Sequence, residues 1–101
     1  MSSLNKTMLC SNFIFSSHAV NAMISRNIPA DDVITVIEFG EVIADYPTDK
    51  PYPSKLLLNF INGDPIHVFV AQNMNNDECI VITCYFPDAA LWDKDFKTKI
   101  K

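Results

Sequence analysis

Lys55-Leu56-Leu57-Leu58-Asn59-Phe60-Ile61-Asn62-Gly63-Asp64-Pro65-Ile66-His67-Val68-Phe69-Val70-Ala71 is the stretch that decides the fold. Two apolar runs flank Asn62-Gly63, a dipeptide suited to the positive φ angles of a tight hairpin turn. The reading is an antiparallel pair, Lys55 to Ile61 and Ile66 to Ala71. Upstream, Glu41 to Tyr46 forms another strand. Downstream, Gln72 to Glu78 is a polar turn that leads into a last strand from Cys79 to Phe86. Pro87-Asp88 closes the sheet, and Ala89-Ala90-Leu91-Trp92 reads as a short turn of helix.

The first forty residues read differently. Phe13-Ile14-Phe15 suits a very short strand, and Ser16 or Ser17 can cap a helix behind it. Phe15, Ala19, Ala22, Met23 and Arg26 follow a helical stripe, which ends near Asn27 because Pro29 disfavours helix in the residue before it. Pro29-Ala30-Asp31-Asp32 opens a second helix, with acids at its positive end. Val33, Val36 and Ile37 are its buried stripe, and Gly40 is its stop. The expected fold is therefore α+β, with two N-terminal helices packed on one face of a four-stranded antiparallel sheet. Residues 1–12 are expected as a flexible N-terminus, 13–93 as a single domain and 94–101 as a basic C-terminal tail.

The 101 residues suffice for one core, and 49% of them are hydrophobic. A net charge of −4 excludes a molecule that traps nucleic acid by bulk electrostatics. Positive charge gathers at the end, in Lys94, Lys97, Lys99 and Lys101, where it suits RNA, an acidic partner or a solvated end. No apolar run reaches the length of a membrane span, and the N-terminus does not read as a signal peptide, so the expected location is the cytoplasm. Cys10, Cys79 and Cys84 read as reduced thiols. On one continuous strand the last two point to opposite faces. The scattered aspartates have no metal-ligand spacing, and no phosphate loop or nucleophile elbow occurs; neither metal nor cofactor is expected.

Chemistry-bearing residues are few. His18, Ala22 and Arg26 form one column on the first helix. His18 there either transfers a proton beside a phosphate-neutralising Arg26 or simply packs near a helix end. His67 shares a strand face with Phe69 and Ala71, opposite Ile66, Val68 and Val70. It is either a satisfied core group or a site residue, and Tyr85 meets it if the register allows. Between Gly40 and Ser54 the chain carries Pro47, Pro51 and Pro53 with Tyr46, Tyr52 and Lys50. Such a stiff aromatic loop presents a surface. Trp92, with Tyr46 and Tyr52, supplies rings that stack on bases, anchor a partner protein or, for Trp92, pin the C-terminal segment onto the sheet.

These pieces resemble a bacterial family known as domain-of-unknown-function family 4258. The matching residues are Phe15-Ser16-Ser17-His18-Ala19, Met23, Arg26-Asn27-Ile28 and Gly40-Glu41-Val42-Ile43. They continue through Asp45-Tyr46-Pro47, Asp49-Lys50-Pro51-Tyr52-Pro53-Ser54 and Pro65-Ile66-His67-Val68, to Thr83-Cys84-Tyr85-Phe86-Pro87-Asp88 and Trp92-Asp93. The resemblance implies a fold like that of the RelE and MqsR toxins. It also implies a toxin of a bacterial toxin–antitoxin pair that cleaves mRNA without a metal, with a zinc-binding antitoxin-like protein as partner. On that basis His18, Arg26, Lys55, His67 and Tyr85 are the expected catalytic residues. Tyr46, Lys50, Tyr52 and Trp92 are the expected partner-binding residues. Ala22 and Asp64 stand where the family usually has Arg, which removes charge from where phosphate would be handled. The alternative expectation is a non-catalytic or degenerate interaction module that binds a zinc-finger antitoxin-like partner through the 46–54 loop and an exposed strand edge.

Overall fold

A computed structural model describes residues 6–100. The elements in chain order are β1 (Asn12–Phe15), α1 (Ser17–Arg26), α2 (Ala30–Phe39), β2 (Glu41–Tyr46), β3 (Ser54–Ile61), β4 (Asp64–Asn73) and β5 (Glu78–Tyr85). They build a mixed α+β domain with two helices and one five-stranded sheet in the order β1-β5-β4-β3-β2. The expected four strands are β2 to β5, an antiparallel meander. The fifth corrects the expectation: β1 pairs in parallel with β5, Asn12 opposite Glu78 and Phe15 opposite Val81. A four-residue strand buries too little to declare its neighbour in sequence, so this pairing is a property of the assembled sheet.

Local signals account for the helix ends. Ser16 caps α1, its hydroxyl accepting from the Ala19 N–H at 3.0 Å. Asn27 closes the helix at φ 58, the left-handed position asparagine tolerates. Asn62 and Gly63 both have positive φ (53 and 86), the pair of angles a two-residue hairpin with the native twist requires. Gly40 ends α2 for want of space. A Cβ there would collide with the Val36 carbonyl oxygen and lie 2.8 Å from that of Leu58.

From β1 at one edge of the sheet, the chain crosses to β2 at the other by laying both helices on one face. Ala19 and Ala22 of α1, with Val33, Val36 and Ile37 of α2, pack there against Leu57, Ile66, Val68, Val70, Cys79, Val81 and Cys84. A buried apolar side chain of this size contributes about 1.5–3 kcal/mol, so this layer is the main source of stability. Cys79 and Cys84 lie on the same face, contrary to the parity of an unbroken strand. The register slips between Phe69 and Val70, and Ile82 is the extra residue of a bulge in β5. The slip puts Val81 and Cys84 on the helix side and Thr83 and Tyr85 on the other.

The N-terminal segment is tied to this layer. Of residues 1–12, expected as a flexible arm, 1–5 lie outside the described residues. Met8 is buried in the core. The Thr7 hydroxyl donates to the Gly40 carbonyl, and Lys6 pairs with Glu38 at 2.9 Å. Cys10 is bonded to Cys79, with Cα atoms 5.6 Å apart. That replaces the expectation of three reduced thiols. The parallel β1–β5 pairing brings Cys10 beside the start of β5, which spacing in sequence does not reveal. Cys84 is the free thiol, and burial pushes its pKa up, keeping it protonated. No helix among the described residues is long and apolar enough to cross a membrane.

Two stability outcomes follow from these contacts. Gly40→Ala is expected to cost about 1–3 kcal/mol in chemical denaturation, because the clash is with backbone on both sides. The disulfide spans 69 residues. Cys10→Ser should therefore lose about 2–4 kcal/mol relative to the oxidised protein. Adding reductant should cost the wild type the same amount and the variant nothing.

Candidate functional site

Opposite the helices, the sheet exposes a second face whose members follow from strand alternation and register. Leu58 pairs with His67 and His67 with Tyr85; Leu56 pairs with Phe69 and Phe69 with Thr83. Part of this face is covered by the chain after β5. Asp88 starts a turn there, its carboxylate accepting from the Ala90 N–H at 2.8 Å and its carbonyl from the Trp92 N–H at 3.0 Å. A small hairpin follows, with Trp92 bridged to Lys99 and the Asp93 N–H donating to the Thr98 carbonyl at 2.8 Å.

His67 holds that hairpin down. Its side chain has 0% exposure, and both ring nitrogens are engaged. Nε2 lies 2.7 Å from the Phe96 carbonyl oxygen, which can only accept, so Nε2 carries the proton. In the neutral ring Nδ1 is then an acceptor, and the Tyr85 hydroxyl at 3.2 Å donates to it. Trp92 stands edge-to-face on the imidazole, 4.5 Å between centroids, and Phe96 packs on Phe60 at 6.3 Å. Phe96 sits at φ 58, a left-handed conformation that costs a bulky residue about 1–2 kcal/mol. The carbonyl bond to His67 and the ring contact with Phe60 offset it. Burial lowers the His67 pKa, and the Phe96 carbonyl opposes that shift without reversing it. Burial, and then the nearby Tyr46, raise that of Tyr85. Both groups are neutral at pH 7.

Beside the hairpin an open groove of about 450 Å³ remains, with Leu56, Phe69 and Thr83 as its floor. Tyr46, Tyr85 and Trp92 are its aromatic walls, and Asp49 and Lys99 its charged groups. Tyr46 stands edge-to-face on Phe69, 5.8 Å between centroids. Asp49 comes from the 46–54 loop, where its carboxylate accepts from the Ser54 hydroxyl. The loop is held further by the Gln72 N–H, which donates to the Pro53 carbonyl at 3.0 Å. Lys50 of that loop is exposed and Tyr52 half-buried.

The five residues expected to carry catalysis do not converge. His67 and Tyr85 meet, as their register allows. His18 and Arg26 are exposed on α1, in the layer across the sheet. Lys55 pairs in register with Val70 on the helix-side face, and its ammonium is 3.1 Å from Asp45. Among the four expected partner-binding residues, Tyr46 and Trp92 line the groove, and Lys50 and Tyr52 lie in the loop beside it. Sequence reading missed Phe69, Asp49 and Lys99. Alternation placed Phe69 beside His67, but the groove exists only once the tail folds back. Among the described residues no three His, Cys, Asp or Glu side chains gather as a metal site.

The buried histidine gives the domain a pH dependence of defined sign. Its folded pKa lies below its ordinary value of 6.5, so the folded chain binds fewer protons than the unfolded one as pH falls through 6.5. Stability from this group is present above pH 6.5 and is lost below it, at no more than about 1.4 kcal/mol per pH unit. Melting temperatures from pH 7.5 to 5 should fall in the wild type. His67→Gln should melt lower at pH 7.5 but with a shallower slope.

No curated protein and no solved structure matches the chain. A family model does, over residues 15–86, from the end of β1 to the residue after β5. It takes in all of both helices, the 46–54 loop and the His67–Tyr85 pair. The chain belongs to the family described as domain of unknown function DUF4258.

Proposed function

We propose that this chain is a non-catalytic interaction module, and that its working surface is the open sheet face with the 46–54 loop. The observation that carries the reading is the state of His67. A general acid or base must present a nitrogen to its substrate. This imidazole is wholly enclosed and spends one nitrogen on the Phe96 carbonyl and the other on Tyr85. His18 and Arg26, the other expected proton donor and phosphate clamp, sit in the helix layer, so among the described residues the expected cations and proton-transfer groups do not gather around one point. What the open face offers is aromatic surface: Tyr46 is 44% exposed, and Tyr52 and Trp92 are half-buried at its border. Half-buried tyrosine and tryptophan at the border of an open face are among the side chains that dominate the energetics of protein interfaces.

The experiment pairs an RNA-cleavage assay with affinity capture. The purified wild type should leave RNA intact. A protein retained by the tagged wild type should bind Tyr52→Ala roughly tenfold or more weaker, the loss expected for an aromatic anchor. RNA cleavage by the wild type that disappears in a folded His67→Ala variant would overturn the proposal in favour of a ribonuclease of the RelE/MqsR type. Undiminished capture by Tyr52→Ala would remove the loop from the account.

A further inference from the structure

The groove on the open face has a chemistry of its own. Four aromatic side chains line it, Tyr46, Phe69, Tyr85 and Trp92, with the Asp49 carboxylate among them. Aromatic faces carry negative charge density and attract cations, most strongly when a carboxylate stands close and water is displaced. One cation is already present: the Lys99 ammonium lies 6.0 Å from the centre of the Trp92 ring. Its neighbour Lys97 reaches back to Glu41 at 3.1 Å. Charge over the whole chain has the same polarity. Residues 94–101 carry four Lys and one Asp, a charge of +3. Since the whole chain is −4, residues 1–93 carry −7. A basic hairpin is therefore laid across the face of an acidic body, with one of its lysines at an aromatic groove.

We propose that this groove is a cation site, that Lys99 serves it in the resting protein, and that it takes a lysine or arginine side chain from a basic segment of a partner protein. The inference rests on the interaction-module reading and names the partner's chemistry. An anionic ligand meets one attraction, Lys99, against Asp49, the aromatic faces and the field of the acidic body, all opposed to it. A basic segment meets the same groups as attraction, and it competes with the protein's own tail for them. Lys99 thus weakens the partner's grip, and removing it should tighten binding.

Trp92 is the sole tryptophan, so its fluorescence reports the groove directly. The full chain is titrated with hexalysine and, at matched ionic strength, with hexaglutamate. Hexalysine should give a saturable change in emission, and hexaglutamate none. Lys99→Ala should bind hexalysine roughly two- to fivefold tighter, the range of an exposed cation–π contact. Tyr46→Ala leaves the net charge unchanged and removes a wall of the groove, so it should bind at least fivefold weaker while melting as a folded protein. A response to hexaglutamate instead of hexalysine overturns the proposal, and so does the absence of a saturable response in both wild type and Lys99→Ala. Equal affinity in Tyr46→Ala overturns it too, because binding would then be bulk attraction to an acidic body. None of these results touches the module reading, which the Tyr52→Ala capture and the RNA assay decide without reference to the groove.

Discussion

One neutral imidazole joins the two halves of the open face. His67 grows from the centre of β4, and its two nitrogens reach in different directions, one along the sheet to Tyr85 and one outward to the backbone of the C-terminal hairpin. Burying a polar ring is costly unless both nitrogens are satisfied, and here they are. The same satisfaction fixes the tautomer, holds Phe96 in its left-handed conformation and sets Trp92 against the ring. Without that anchor the hairpin would have only its rim contacts, and the groove beside it would lose a wall. The imidazole thus clasps the hairpin to the sheet through both of its nitrogens.

The bulge at Ile82 has a comparable reach. β5 must give cysteine and valine to the helix-side core and also give Thr83 and Tyr85 to the open face. An unbroken two-residue period cannot do both, because Cys79, Val81 and Cys84 do not share parity. One extra residue resolves the conflict and aims Tyr85 at His67. The candidate site thus depends on an irregularity that also completes the core.

Much of this was readable from residues close together in sequence. The Ser16 cap, the Asn27 and Gly40 stops, the Asn62-Gly63 turn and the apolar stripes of both helices are local signals, and the structure places each element within a few residues of its expected ends. The same alternation put His67 on the face of Phe69. What escaped were relations between distant segments: β1 against β5, Cys10 against Cys79, and the tail against the open face. None has a short-range signature. Four residues of β1 fit several strand positions, and lysines near a chain end read as solvated charge until Glu41 and Trp92 are brought up to them. The His67–Tyr85 pair lay between these cases. Its possibility was visible, but its realisation depended on a register that the bulge decides.

The pairing of β1 with β5 has a bearing on how the chain comes together. The first strand of the domain is bound to the last, and both helices lie between them in sequence. During synthesis Asn12–Phe15 waits for Glu78–Tyr85, so the N-terminal edge can be added only after almost the whole domain has emerged. The β3–β4 hairpin, closed by two residues, is the part with the least loop entropy to overcome, and it offers the natural seed. The shortest closure in the sheet thus lies in the middle of the sequence and the longest joins its two ends. The disulfide bridges the same seam from the segment before β1, so it too can form only after Cys79 has been made.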